Sequence, residues 1–147
     1  MAKPRYIICA TDCIVSRDTG LVSHINVIES LNIVPLKTDD PRAPFLKGSP
    51  SILMDATWTR EEGDENKEFE FQIRLSGTWN DKEPDVVGQG VFTFEKDHHR
   101  IIANIHAVFR SYSGYFIVEN RIREKGSEQW ISQEYPIMIQ LTQKVEA

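Results

Sequence analysis

Two adjacent histidines, His98 and His99, follow Asp97 at a predicted hairpin turn. Imidazole and carboxylate groups are common zinc ligands, and a zinc site needs three or four ligands. Adjacent residues of a strand point to opposite faces, so this pair makes a poor chelate unless a turn bends it. His24 and His106 would have to join through tertiary contacts. We therefore interpret His98 and His99 as solvated turn residues, predict no metal site, and keep both as candidate ligand or interface positions.

Asp12 is an acidic residue in an apolar stretch. In a strand, its side chain would point to the same face as those of Ala10 and Ile14. A buried carboxylate costs several kcal/mol unless it is hydrogen-bonded or paired. We expect a structural Asp12 that is satisfied by backbone N–H groups, by a hydroxyl such as that of Ser23, or by an arginine. A functional carboxylate in a cleft is the alternative, although no second carboxylate can be identified as its catalytic partner.

Two tryptophans lie in predicted polar loops, Trp79 within 77–81 and Trp130 within 127–133. An indole ring beside amide and carboxylate side chains can stack on a sugar or anchor a protein interface. It can equally close the open end of a sandwich, which is the simplest interpretation. We keep Trp79 and Trp130 as candidate ligand or interface residues.

Known catalytic and cofactor-binding motifs are missing from the sequence. It contains no G-x-S-x-G motif, and no cysteine or serine stands beside a histidine in a known signature. The run Gly88-Gln89-Gly90 lacks the third glycine and the following helix of a phosphate-binding loop. Glycines within a strand more often mark a bulge or a close backbone approach. We predict that the protein is not an enzyme and holds no cofactor.

The length and charge limit the class of protein. The 147 residues fit one domain, 1–147. The formal net charge is −5, and the dense charged run 60–70 is mainly acidic, whereas nucleic-acid-binding proteins carry clustered Lys and Arg. No apolar run reaches the roughly 18 residues of a membrane-spanning helix. We expect neither nucleic acid nor a membrane as a partner.

The two cysteines, Cys9 and Cys13, favour a reducing compartment. If residues 6–15 form a strand, the two lie on one face about 13 Å apart, beyond the roughly 7 Å that a disulfide allows between Cα atoms. We predict that both are reduced, packed thiols and that the protein is cytoplasmic. Residues 1–5 and the short apolar stretch after them make a poor signal peptide.

Apolar residues recur with a period of two, which is the signature of β-strands. In 68–76, apolar residues alternate with charged and polar ones, which predicts one face in the core and one in water. Residues 115–124 and 135–142 alternate in the same way. The stretches 6–15 and 101–109 are apolar in both phases, so we expect both faces of these strands to be covered.

Together with strands at 52–59 and 86–95 and a strand after the turn at 17–20, these stretches make about eight strands. Short strands separated by regular turns are typical of a sandwich. The one long connection, 32–50, contains four prolines, which exclude a helix or a central strand. We predict an all-β fold: a single antiparallel two-sheet sandwich with one long proline-rich crossover loop.

The segments 9–15 and 23–29, joined by a turn that ends in Thr19-Gly20, resemble the N-terminal hairpin of a family of small prokaryotic β-sandwich proteins without assigned function. In that family an Asp-bearing strand leads through a glycine turn to a strand that ends near an acidic residue and a proline. A later Gly-Tyr step opens a C-terminal strand, as at Gly114-Tyr115. The resemblance covers a small part of the chain. It implies a β-sandwich, and it implies no activity and no site residue.

Strands that are apolar in both phases favour a non-enzymatic interaction or assembly module, because a second face then needs a protein partner or another copy of the chain. A carbohydrate- or small-ligand-binding domain that uses Trp79 and Trp130 is the second hypothesis. An enzyme or metal protein built around Asp12 or the histidines is the third. A structural protein of a phage or mobile element is the fourth, and composition does not separate it from the first.

Overall fold

The computed structural model describes residues 1–16, 19, 21–33, 52–77, 83–105 and 114–141. Every regular element in these ranges is a β-strand, which confirms the all-β prediction. The strands are β1 (Lys3–Val15), β2 (Val22–Val27), β3 (Ser30–Ile33), β4 (Ile52–Thr59), β5 (Glu68–Gly77), β6 (Asp85–Thr93), β7 (His98–Ile105), β8 (Gly114–Glu124) and β9 (Ile131–Leu141). The described part of the chain contains no helix long and apolar enough to cross a membrane.

The strands form two sheets, and the fold is the predicted two-sheet sandwich. One sheet has the order β2-β1-β4-β7 and the other the order β3-β9-β8-β5-β6. Nine strands are described where about eight were expected. The short strand β3 pairs with β9 in parallel, whereas the other paired strands are antiparallel as predicted. The predicted proline-rich crossover falls mostly on 34–51, outside the described residues.

The core lies between the sheets and follows from the period-two pattern. On β4, alternate residues from Ile52 to Trp58 are buried apolar side chains that face the second sheet. On β5, the alternating apolar residues predicted from 68–76 face back toward them. The buried core side chains of the second sheet are Phe69, Ile73, Leu75, Phe92, Phe116, Val118, Ile122, Ile137 and Ile139.

Two hydrogen bonds cross the core and fix how the sheets face each other. The indole N–H of Trp58 donates to Oδ1 of Asn120 over 2.7 Å, and Nδ2 of Asn120 donates to the carbonyl of Gln72 over 3.1 Å. The side-chain amide of Gln133 donates to the carbonyl of Thr57 over 3.1 Å. Buried polar groups are tolerated when they are paired in this way, and their directionality selects one sheet arrangement.

The strand β1 bends sharply near Thr11. Its first part pairs with β4, up to Ala10 opposite Leu53, and its last part pairs with β2, down to Val15 opposite Val22. At the changeover Asn26 has a φ of 54°, which an Asn adopts more readily than most residues. The Thr11 hydroxyl donates to the carbonyl of Ile25 over 2.9 Å. A local break of this kind redirects a strand from one sheet surface to another.

The glycines of β6 mark a close approach, as the sequence predicted. A Cβ built on Gly90 would lie 2.7 Å from the Phe71 ring, and one on Gly88 would lie 3.3 Å from the Ile73 side chain. The register between β5 and β6 also shifts at Ile73/Arg74. Glycine therefore lets the β6 backbone sit against core side chains of β5.

The Trp58–Asn120 bond can be tested by replacement of its acceptor. Asn120→Ala should lower the free energy of unfolding by about 2–3 kcal/mol, because the indole N–H and the Gln72 carbonyl both lose a buried partner. Urea denaturation followed by tryptophan fluorescence measures the change. The matched control is Asn104→Ala on β7, an exposed asparagine whose removal should change stability by less than about 0.5 kcal/mol.

Candidate functional site: a buried polar cluster under the bent hairpin

The most deeply buried carboxylate of the described residues is Asp55, not Asp12. Asp55 lies on β4 between Met54 and Ala56, whose side chains face the core. Strand alternation therefore points Asp55 to the opposite, outer face of the four-stranded sheet. Its exposure is nevertheless 0%. A carboxylate buried so completely needs hydrogen bonds and a compensating charge.

Both oxygens of Asp55 have partners. Oδ2 lies 2.7 Å from Nε2 of His24 and accepts a hydrogen bond from the Tyr6 hydroxyl over 3.1 Å. Oδ1 accepts from the Thr57 hydroxyl over 3.3 Å and lies 3.4 Å from Nε of Arg100. The Arg100 Nε atom is itself buried and makes no hydrogen bond within the described part of the molecule. Four side chains from four strands thus surround one carboxylate, and we call this group, with Cys13, the Asp55 cluster.

The bend in β1 is what brings the hairpin to Asp55. Ile8 is the register partner of Asp55, and Cys13 lies five residues further along β1. A straight strand would carry Cys13 about 16 Å from that point. Instead, the ligand atoms of Cys13, His24 and Asp55 all lie within 4.8 Å of one another. The ring of Tyr6 also meets the ring of His24 edge-on, with centroids 6.0 Å apart. The β1–β2 hairpin therefore folds back over the outer face of its own sheet.

Cys13 is the register partner of His24 and lies at the edge of the cluster. Burial, and then the negative charge of Asp55, raise the pKa of the Cys13 thiol, against a smaller opposite effect of Arg100. A raised pKa keeps a thiol protonated at neutral pH and makes it a poor nucleophile. The arrangement of Cys13, His24 and Asp55 therefore resembles a nucleophilic triad in composition but lacks an activated thiol.

The prediction that Cys9 and Cys13 share one packed face is wrong, because the bend interrupts the alternation between them. Both are free cysteines. Cys9 lies in the hydrophobic core, where burial raises its pKa to about 12. Cys13 is only half-buried and belongs to the cluster on the outer face.

The prediction of a buried Asp12 is also wrong. Asp12 is exposed, and its Oδ1 accepts a hydrogen bond from the backbone N–H of Cys13 over 2.7 Å. The expected backbone partner exists, but in solvent and outside the cluster. The sequence signal that was missed is Asp55 itself, an acid among the apolar residues of a strand whose neighbours 54 and 56 are core positions.

His98 and His99 lie at the start of β7 rather than in the turn before it. They point to opposite faces, as adjacent strand residues must. The exposed His98 contacts the Thr59 hydroxyl through Nδ1 at 3.2 Å. The His99 ring stacks on Phe92 with centroids 4.0 Å apart and an angle of 3° between the rings. Neither joins a group of three metal-ligating side chains in the described part of the chain, and His106 lies outside it.

Trp130 packs on charged residues of the five-stranded sheet. It directly precedes β9, and its ring lies 4.1 Å from the guanidinium carbon of Arg121 and 4.3 Å from that of Arg123. These arginines also bond across to Gln72 and Glu70 on β5. The indole therefore covers two arginines that are already hydrogen-bonded across the outer face of the sheet, which favours a structural role. Trp79 lies outside the described residues.

No family model matches the chain, and the curated proteins and the solved structures likewise give no significant match. Fold and site together define it as a two-sheet β-sandwich with a buried Cys–His–Asp cluster under a bent N-terminal hairpin.

The two aspartates make a matched pair for a stability test. Asp55→Asn should lower the free energy of unfolding by about 2–3 kcal/mol, because the partly exposed Arg100 and His24 lose a buried acceptor and counter-charge. Asp12→Asn should change it by less than about 0.5 kcal/mol. Equilibrium urea denaturation at pH 7 measures both. Equal effects of the two replacements would contradict the assignment of Asp55 as the centre of the cluster.

The half-buried side chain of His99 should make the free energy of unfolding depend on pH. Burial against Phe92 lowers the pKa of His99 below its value in the unfolded chain, with Glu95 opposing the shift to a lesser degree. Between pH 7 and pH 5 the unfolded chain therefore binds more protons at this position than the folded one, and stability falls as the pH falls. His99→Phe should keep the ring stack and reduce this loss.

The measurement is urea denaturation of the parent protein and His99→Phe at pH 7 and pH 5. His98→Gln is the control, because His98 is exposed and its removal should leave the pH dependence unchanged. A loss of stability on acidification that is the same in His99→Phe as in the parent would refute the assignment.

Proposed function

We propose that this protein is a non-enzymatic assembly module whose copies associate head to tail, with the β1–β2 hairpin of one copy docking on strand β6 of the next. One observation carries the proposal: groups of exposed apolar side chains lie on the β1–β2 hairpin and on the edge strand β6, at opposite sides of the sandwich. Such patches on a folded domain mark interaction surfaces.

The hairpin carries the first patch. Ile14 of β1 is 55% exposed, and Ile25 of β2, which lies diagonally across the hairpin on the same side, is also exposed. They lie on the side that faces away from the Asp55 cluster, because they alternate with Cys13 and His24. The other exposed apolar residues of the hairpin region are Val15, Leu21 and Val27. The hairpin therefore has one side on its own sheet, and its other side places Ile14 and Ile25 in solvent beside their polar register partners Ser23 and Asp12.

Strand β6 carries the second patch. Its exposed apolar residues are Val86, Val87 and Val91, and Val91 is 54% exposed. Val91 pairs with Glu70 and Val86 with Arg74, so both lie on the outer face at the edge of the five-stranded sheet. β-Branched residues on an edge strand favour the addition of another strand.

Neither edge strand contains a lysine, arginine or proline that would block strand pairing, and the one irregularity is the register shift opposite Ile73/Arg74 in β6. Exposed edge strands in monomeric proteins are commonly blocked by lysine, by proline or by short length. The sequence of β2, Val22–Val27, contains no Lys, Arg or Pro, and neither does that of β6, Asp85–Thr93. Strand β7 instead begins with His98, His99 and Arg100, and β3 is only four residues long. Among the described edge strands, β2 and β6 are therefore the ones that combine more than four residues with no lysine, arginine or proline.

The two edges lie on opposite sides of the molecule, which favours a head-to-tail contact. On one side, Ile28 follows β2, donates its N–H to the carbonyl of Cys9 and accepts from the Tyr135 hydroxyl. On the other side, Phe92 of β6 stacks on His99 of β7. A contact between unlike surfaces of identical chains is heterologous and builds rings or filaments.

Other features support the same class of function. The arginines on the described strands of the five-stranded sheet are engaged with Glu70, Gln72 and Glu119, so this face offers little free positive charge to nucleic acid. Both cysteines are free, which supports a cytoplasmic location. Head-to-tail association also suits a structural component of a phage or mobile element. The packing of Trp130 on two guanidinium groups does not favour the glycan-binding alternative.

Single charges placed in each patch test the assembly. Ile25→Glu and Val91→Glu should each convert the oligomer to a monomer in size-exclusion chromatography with light scattering, because each buries an unpaired carboxylate in the interface. Tyr115→Glu, at an exposed position of the central strand β8, is the matched control and should remain oligomeric.

Mixing the two variants gives the sharper result. Ile25→Glu keeps an intact β6, and Val91→Glu keeps an intact hairpin, so an equimolar mixture should form a 1:1 heterodimer. An interface between like surfaces would give no such rescue. A monomeric parent protein at high concentration, or disruption by Tyr115→Glu alone, would overturn the proposal.

A further inference from the structure

We propose that Cys13, His24 and Asp55 form a zinc-binding site that joins the β1–β2 hairpin to strand β4. This goes beyond the proposed assembly and stands independently of it. The site uses three side chains from three different strands, which meet only because β1 bends. Thiolate, imidazole and carboxylate together are a donor set that suits Zn²⁺ among the divalent ions.

The distances are close to those that zinc requires. Zn²⁺ lies about 2.0 Å from nitrogen and oxygen ligands and about 2.3 Å from sulfur, so tetrahedral ligand atoms lie about 3.3–3.5 Å apart. The three ligand atoms here all lie within 4.8 Å of one another. The His24–Asp55 contact of 2.7 Å would lengthen by about 0.6 Å. Side-chain rotation of half-buried Cys13 can supply the remaining adjustment.

The surrounding residues orient the carboxylate as the outer shell of a metal site does. The Tyr6 and Thr57 hydroxyls both donate to Asp55, one to each oxygen. Hydrogen bonds of this kind hold a ligand in one orientation and contribute to metal affinity. The Asp55 side chain is fully buried and that of His24 is 14% exposed. Folding has therefore already removed most of the water from these two ligands, and zinc binding would displace little more.

The positive charge of Arg100 repels Zn²⁺ and should therefore limit the zinc affinity of the site. Its Nε lies 3.4 Å from Oδ1 of Asp55, and its side chain is 29% exposed. Cys13 would bind as a thiolate, and its thiol proton would be released to water as the ion binds. The thiolate and the Asp55 carboxylate then balance the two charges of Zn²⁺, which leaves the guanidinium as an uncompensated positive charge nearby. Removal of this charge should therefore strengthen zinc binding.

Three protein ligands leave a fourth position of a tetrahedral ion to water or to an added ligand. The same ion would pin two hairpin strands to β4. Zinc binding should therefore stabilise the folded hairpin as well as the whole domain, by mass action on the folded state.

Titration of metal-free protein, purified without a histidine tag, tests the site directly. With Co²⁺ as a spectroscopic probe, one equivalent per chain should give a thiolate-to-metal absorption band and the intense visible bands of tetrahedral cobalt. Zn²⁺ should displace Co²⁺ and raise the melting temperature. Native mass spectrometry should show one Zn²⁺ per chain.

The variants separate a metal site from a structural cluster. Cys13→Ser should abolish the thiolate band and weaken zinc binding at least about 100-fold, since loss of outer-shell partners alone costs 10- to 100-fold. Cys9→Ala is the matched thiol control and His98→Gln the matched histidine control, and both should bind as the parent does. Arg100→Gln should bind Zn²⁺ about tenfold more tightly, as expected for removal of one charge near a divalent ion in a high-dielectric setting.

The proposal fails if the parent binds less than one Zn²⁺ per chain, if Cys13→Ser binds as the parent does, or if Cys9→Ala loses the band instead. Measurement on the Val91→Glu variant keeps this test separate from assembly. Zinc binding by that variant supports the site whether or not the chain associates, and its absence counts against the site alone.

Discussion

Burial of the Asp55 carboxylate is the constraint on which the outer face of the four-stranded sheet depends. A buried carboxylate without hydrogen-bond partners would be far less stable than the same carboxylate in water. The fold supplies four polar partners. Tyr6 reaches Asp55 from the first part of β1, which pairs directly with β4, whereas His24 of β2 reaches it only through the bend near Thr11 and Asn26. The bend, the covered face and the polar cluster are therefore one arrangement, and loss of any part weakens the others.

The same bend determines which surface of the hairpin is left in solvent. With Cys13 and His24 turned toward Asp55, strand alternation turns Ile14 and Ile25 outward. The strand period thus places the two polar cluster residues on the inner side and the two exposed isoleucines on the outer side. This links the Asp55 cluster, which fixes the hairpin, to the patch that we propose as a docking element, and it explains why an apolar patch survives on an otherwise charged surface.

The sandwich could be predicted from the sequence because the alternation of apolar and polar residues in a strand is visible within a few consecutive residues. Residues 68–76 alternate between core and solvent, and the glycines at 88 and 90 indicated a close approach that Phe71 confirms. The cluster could not be predicted in the same way. Its contacts join residues 31 and 49 positions apart, and the contact of His24 requires the bend of β1 near Thr11, opposite which Asn26 has a positive φ. Counting along a straight strand therefore selected Asp12 and paired Cys13 with Cys9. The parallel pairing of β3 with β9 could not be predicted either, because a strand of four residues is too short to show a clear alternation of apolar and polar residues.

The folded-back hairpin is the central claim, and NMR contacts between aromatic rings test it most directly. The Tyr6 and His24 rings are 6.0 Å apart, with the His24 ring bonded to Asp55. Nuclear Overhauser effects between their ring protons are expected in the parent protein. A straight β1 would separate the two residues by about 20 Å along the strand, so absence of these effects, with β1–β2 pairing intact, would contradict the account.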